Sequence, residues 1–352
     1  MNKTFQKIIS AGLALTAVFS LAACGEKSDP APSDDASTKT YKVGIVQYVD
    51  DASLNQIEQN IEKELDAKAA ELGVTFEYKD YTYNGQGDST TLQQIGAELI
   101  SEEVDIIIPI ATPAAQVMQA ATEDTEIPIV FAAVSNPLTA KLVDSMDAPG
   151  GKITGTSDSL NTEAVLDLMF AANPDVDYVG LLYSKSEDSS AQPIADAIAY
   201  LEAKGVKYIE KTGTNTDEIS SAADALIAEG VDAVFTPTDN TVMTAELAIY
   251  EKFLDAKIPH YAGADSFALN GAFAGYGVDY AYLGRATADM AVDILVNGAD
   301  PATTAVLTFD NGIATVNTET CAAIGFDLAT IKEAFDGLCT QFVETVTAQE
   351  FE

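Results

Sequence analysis

The sequence predicts an α/β protein built as two doubly wound lobes. From Tyr41 onward, short runs rich in β-branched residues alternate with amphipathic stretches, the pattern of parallel strands covered by helices on both faces. The alternation restarts near Tyr178, giving a second set of the same kind. After Leu269 strand and helix patterns remain to be housed, so the chain is expected to cross between the lobes more than once.

In the first set the strand candidates are residues 42–47 (KVGIVQ), 75–80, 104–111 (VDIIIPIA), 129–134 and 152–155. Between them, residues 54–72 and 90–102 carry apolar residues at helical spacing, with Leu54, Ile57, Ile61 and Leu65 on one stripe. The second set has strand candidates at 178–183 (YVGLLY), 207–210, 233–237 (AVFTP) and 260–263. Its helices are expected near 192–203, 217–229 and 242–254. The remainder holds 271–279 (GAFAGYGVD), a strong helix at 282–296, two strand-like runs at 304–309 and 313–316, and a closing helix near 328–342.

Composition removes several function classes. With 55 acidic against 18 basic residues, the formal charge of −37 argues against nucleic acid and against anionic lipid surfaces. The acids are scattered on polar helix faces, where they solvate the protein. There is one His (His260), one Arg (Arg285) and no Trp, which nearly excludes a His-centred triad or a multi-His metal site. Neither a metal nor a cofactor is expected. Arg285 is expected to pair with a surface acid. Cys321 and Cys339 could form a disulfide outside the cytoplasm, or remain a pair of buried free thiols; spacing alone does not choose.

At the front of the chain, Lys3 and Lys7 precede an uncharged, largely apolar run over residues 8–23, the layout of a secretory signal. The run closes on Leu21-Ala22-Ala23-Cys24, which resembles the lipobox of bacterial lipoproteins. That resemblance implies removal of residues 1–23 and lipid attachment at Cys24. Residues 24–40 lack any large apolar side chain and are expected to be a disordered, solvated linker. No later run approaches the roughly 18 apolar residues of a membrane span. The expected location is therefore outside the cytoplasmic membrane, lipid-anchored to its outer face.

Seven motifs in order carry a wider resemblance: VGIVQY at 43–48, NGQGD at 84–88, SNP at 135–137, ITGTSD at 153–158, GLLYSKSEDSS at 180–190, FTPTDNTV at 235–242 and GAFAGYGVDYAYLGR at 271–285. Together they resemble the substrate-binding lipoproteins of ABC importers, and within these the family that binds tryptophan and other aromatic amino acids. One departure is Asp50-Asp51, which stands where many relatives carry a His-Pro-like pair. The resemblance implies a type I periplasmic-binding-protein fold, two Rossmann-like lobes joined by a three-strand hinge. The crossings are then expected near 155–158, 268–271 and 302–305. The first lobe would comprise residues 41–156 and 272–303, the second 157–271 and 304–346. A monomer that hands a small molecule to a membrane permease with a cytoplasmic ATPase is the implied function. The chain has no phosphate-cradling loop of its own.

Ligands in open parallel sheets bind beyond the carboxyl ends of the strands. Those ends carry Gln47, Tyr48, Asn84, Gln86, Thr112, Ser135, Asn136, Glu187, Asp239, Asn240 and Asp265, with Tyr280 following the 271–279 segment. The Ser, Thr, Asp and Asn residues among them are turn formers or helix caps by residue type, and the convergence of the whole set is what would make a site. For an amino-acid ligand, helix N-termini with the hydroxyls of Thr112 and Ser135 would take the carboxylate. Lys185 is a cationic alternative. Asp239, then Asp265, then Glu187 are the candidate ammonium acceptors. Tyr48, Tyr83, Tyr183, Phe267, Phe273, Tyr276 and Tyr280 are candidate aromatic walls, with core packing the competing role, above all for Tyr183 and Phe273. An aromatic amino acid is what the resemblance implies; composition leaves nucleosides and sugars open. A ligand sensor that presents its closed form to a receptor kinase would share every residue of this cleft. Adjacent acid pairs such as Glu102-Glu103 do not place two carboxyls on one bond, so an enzyme is not expected.

Overall fold

The computed structural model describes residues 38–309 and 312–350. The expected secretory segment, Cys24 and most of the expected linker lie outside them. The first run of elements is β1 (Thr40–Gln47), α1 (Ala52–Leu72), β2 (Thr75–Glu77), β3 (Thr82–Asn84), α2 (Ser89–Ser101), β4 (Ile106–Ile110), α3 (Thr112–Ala121), β5 (Ile129–Phe131) and β6 (Ile153–Ser157). The second is α4 (Thr162–Ala172), β7 (Tyr178–Tyr183), α5 (Asp188–Lys204), β8 (Lys207–Thr212), α6 (Thr216–Glu229), β9 (Ala233–Thr236), α7 (Asn240–Ala256), β10 (His260–Ala262), α8 (Asp265–Leu269) and β11 (Ala274–Gly277). The chain ends with α9 (Tyr280–Asn297), β12 (Leu307–Thr308), β13 (Ile313–Asn317), α10 (Thr318–Ile324), α11 (Leu328–Ala334) and β14 (Gln341–Thr345).

These strands form two sheets. The first runs β12-β6-β5-β4-β1-β2, with β3 also on β1; β2 pairs along its start and β3 along its end. The second runs β14-β13-β11-β10-β9-β7-β8, parallel throughout except for β11 against β13. Each lobe thus winds outward in both directions from its first strand, β1 or β7, so its crevice opens at the carboxyl ends of β1 and β4 or of β7 and β9. β4 (IIIPI) is buried at every position, as a central parallel strand covered on both faces must be. The expected stripe of α1 is the buried one: Leu54, Ile57, Ile61 and Leu65 all turn inward.

The hinge differs from the expected boundaries at two of its crossings. The first crossing follows β6, which ends at Ser157. β11, assigned beforehand to the first lobe, pairs with β10 and β13 in the second sheet, so the second crossing moves to residues 278–279. β12 pairs with β6 in the first sheet, so the third crossing lies after Thr308 rather than at 302–305. The first lobe therefore holds α9 and β12, and the second lobe extends through β11. Between those crossings α9 packs on α1, as the surplus of late elements required. A Cβ at Gly284 would stand 2.6 Å from the Ile57 carbonyl oxygen, so only glycine lets the two helices approach this closely.

The closing helix expected near 328–342 is α11 followed by a strand. Gly337 takes a left-handed φ of +78°, which ends the helical turn. QFVET then pairs in parallel with β13, with Ile313 opposite Gln341. α3 and α4 were not anticipated. Cys321 and Cys339 are free thiols; Cys321 is buried and Cys339 half-buried in the second lobe's apolar core.

Candidate ligand-binding cleft

Loops from the two lobes meet along a closed cleft, and hydrogen bonds cross it. Ser53 Oγ donates to Asp265 Oδ1 at 2.6 Å, and Gln116 Nε2 donates to Asp188 Oδ2 at 2.7 Å. Ser53 opens α1 in the first lobe, and Asp265 opens α8 in the second. The side chains of Asp51 and Ser266 make a further hydrogen bond between these two helix starts. The cleft encloses a deep chamber of about 30 Å³ and beside it a wide groove of about 890 Å³, with Asn240 in the wall of both.

The chamber is built from strand ends of both lobes. Ala111 (φ +79°) and Ala133 (φ +52°) line it, two non-glycine residues in left-handed backbone that aim the loops after β4 and β5. Thr112 begins α3 there; its Oγ1 is buried and has no hydrogen-bond partner. Ser135 Oγ donates to Asp158 Oδ1 at 3.1 Å, and the Tyr280 hydroxyl reaches the same carboxyl. Asp158 and Tyr280 lie at the first and second hinge crossings, so this pair joins two of the three connections.

Of the expected site residues, Thr112, Ser135, Asp239, Asn240 and Tyr280 line the chamber, and Tyr48, Gln86, Glu187 and Asn240 line the groove. The others serve local structure. Gln47 Nε2 donates to Val49 O and Asn55 Oδ1, bracing the loop after β1. Asn84 accepts from Gln86 N, and Asn136 accepts from Thr139 N, both as turn formers. Asp265 stands at the lobe contact, behind Ser53. Asp239 caps α7: Oδ1 accepts from Val242 N, while Oδ2 accepts from Ser184 N and Ser190 Oγ. Glu187 supports the same helix start through Thr241 N, Thr241 Oγ1 and Asn240 Nδ2.

Among the aromatic candidates, Tyr48 faces the groove and Phe267 and Tyr280 face the chamber. Tyr83 binds Glu98, Tyr183 binds Glu210, and Phe273 and Tyr276 belong to the second lobe's core. Arg285 lies away from the cleft. Its Nη1 donates to Asn60 Oδ1 and its guanidinium covers the Tyr282 ring, in place of the acid partner expected for it. Lys185 is exposed and lines neither cavity.

Carboxyls dominate the electrostatics. Asp51, Asp158 and Asp239 line the chamber, while no Lys, Arg or His is found among the residues lining either cavity. Burial pushes Asp158 up to about 6, against the pull of its Ser135 and Tyr280 hydrogen bonds. Burial and then the neighbouring Asp51 push Asp265 up to about 7. Glu187 and Asp239 are both raised, first by burial. Tyr48 rises to about 12, by burial and then by the second lobe's Glu187 and Asp239. Asp51 and Asp158 were not among the expected site residues. Asp51 was visible as the departure beside Val49, and Asp158 as the last residue of ITGTSD. No group of metal-ligating side chains occurs among the described residues.

The model of the family described as ABC transporter substrate binding protein matches residues 42–333. The chain belongs to that family. The family binds solutes and is not enzymatic, and its importer members work outside the cytoplasmic membrane with permeases. A tyrosine-binding protein from Clostridioides difficile is 31% identical over 288 residues, covering 82% of each chain. A substrate-binding structure from Streptococcus pneumonia in complex with L-Trp is 30% identical and covers 87% of this chain and 100% of that one, with a TM-score of 0.78. A ligand-free, open substrate-binding protein from Clostridium difficile, also 30% identical, covers 87% and 99% with a TM-score of 0.64. At equal identity this substrate-binding protein is thus more like the L-Trp complex than the open form, in keeping with the hydrogen bonds that cross its cleft. No helix among the described residues is long and apolar enough to cross a membrane.

Proposed function

We propose that this substrate-binding protein captures an aromatic amino acid between its lobes and delivers it to a membrane permease driven by a cytoplasmic ATPase. The observation that carries the reading is the closed cleft between two lobes, polar at its deep end and bordered by Tyr48, Phe267 and Tyr280. Two relatives at about the same identity, one in complex with L-Trp and one described as tyrosine-binding, support this ligand class. The amino-acid head enters the chamber, the ring lies along the groove, and contacts from both lobes stabilise the closed state. Residues 1–23 act as the secretory signal, Cys24 carries the lipid, and the following linker gives a monomeric receptor its reach. Anchoring follows from acyl chains at about 0.8 kcal/mol per buried CH₂.

A thermal-shift screen against amino acids, nucleosides and sugars tests this reading. Native-state binding adds RT ln(1 + [L]/Kd), about 2.7 kcal/mol at a hundredfold excess over Kd. A shift is expected with L-Trp or L-Tyr. A shift with sugars or nucleosides alone would overturn the substrate class.

A further inference from the structure

The deep chamber is one-sided in charge. Asp51, Asp158 and Asp239 line a space of about 30 Å³, and neither this chamber nor the adjoining groove contains a basic side chain. Carboxylates buried without a counter-charge are costly, so the closed form is incomplete as a protein-only arrangement.

The three acids are not equivalent. Asp239 has both oxygens occupied by the start of α7, Ser184 and Ser190. Asp51 caps α1 through Ser53 N and Leu54 N, each at 3.0 Å, and meets Ser266 across the cleft. Asp158 caps no helix. Its side-chain partners are the hydroxyls of Ser135 and Tyr280, and it is 4% exposed. An independent observation points to a polar occupant: Thr112 Oγ1, on a side chain buried to 2% exposure, lines the same chamber and has no partner.

We propose that recognition is led by the ligand's ammonium, held by Asp158 with Asp51 and Thr112, so that aromatic monoamines without a carboxylate are ligands of this cleft too. An ammonium has three donors and no acceptor, which matches two carboxyls and one free hydroxyl. A chamber of this volume takes an –NH₃⁺ head and not a ring, leaving the ring to the groove beyond Asn240. The carboxylate has fewer donors available: α3 begins Thr112-Pro113, and proline removes one backbone N–H from its first turn. The inference rests on the amino-acid reading above for the aromatic body of the ligand, and moves the ammonium from Asp239 to Asp158.

Calorimetric titration of the purified full chain with L-tryptophan, tryptamine and indole-3-propionate, and with the tyrosine series, tests it. Tryptamine or tyramine is expected to bind within about tenfold of the amino acid, and the acid lacking the amine at least about a hundredfold more weakly. Amino-acid binding with amines at least about a hundredfold weaker would overturn this inference and leave the transport reading standing. Amine binding without amino-acid binding would support it and overturn the amino-acid reading. Binding of none would overturn both.

Asp158→Asn is expected to weaken amine binding by about a hundredfold with an unchanged or raised Tm, since it removes a buried charge. Should that variant fail to fold, Asp51→Asn serves in its place and is expected to weaken the amine at least about tenfold. Undiminished amine affinity in the folded variant tested would overturn the assignment.

Discussion

Asp239 ties three parts of the second lobe together: the start of α7, the loop after β7 and the first turn of α5. Asp239→Ala removes a helix cap and leaves two buried donors unpaired, so it should cost about 1–3 kcal/mol in denaturant unfolding. Full stability with abolished binding would instead make it a ligand contact, the role its sequence position suggested. That expectation arose because an N-cap and a ligand acceptor need the same residue type at the same place, the end of a strand. Asp158 escaped notice for the opposite reason, since its neighbours Ser135 and Tyr280 are remote in sequence. The raised carboxyls also set a pH dependence. Asp158 and Asp265, about 6 and about 7 in the fold, both start from 3.8. Each therefore binds its proton more tightly in the native state, and its penalty grows as pH rises from the unfolded value through the folded one. Ligand-free Tm should fall between about pH 4 and about pH 7, and Asp265→Asn should flatten that slope. An identical slope in the variant would remove Asp265 from the account.

At the scale of elements, the return of α9 to the first lobe determines where the hinge crosses. Its contact with α1 depends on Gly284, where a Cβ would meet backbone rather than a movable side chain. Gly284→Val should lower stability by about 1–3 kcal/mol, measured by chemical denaturation; an unchanged midpoint would mean that the helices separate freely. Elements with one apolar stripe were legible in advance, as the stripe of α1 shows. Helix α3, TPAAQVMQAA, is mostly alanine and small residues and carries no such contrast. Helix α4 buries Val165, Leu166, Leu168 and Met169, too broad a face to give a clear period. AGYG at β11 is assigned by its partners β10 and β13, which a local reading cannot supply. QFVET shows no strict alternation, and Ile331, Phe335, Leu338 and Phe342 fit a helical spacing, so the strand was hidden until Gly337 broke the helix.

For the whole molecule, two sheets of the same winding place their crevices face to face, so that neither lobe alone completes the chamber. Thr112 and Ser135 come from one side, Asp239 and Asn240 from the other, and Asp158 and Tyr280 from the crossings between them. This convergence was legible as a list of strand ends; its division into ligand-facing and structural residues required the three-dimensional contacts. On the proposed reading the ligand favours closure, because only the closed form offers both sets of contacts at once. The most direct test is small-angle X-ray scattering of the purified protein during titration with L-Trp or L-Tyr. The account predicts that the radius of gyration falls to the value of the closed form at saturation. An unchanged radius with both amino acids, alongside contraction with a sugar or nucleoside, would contradict it.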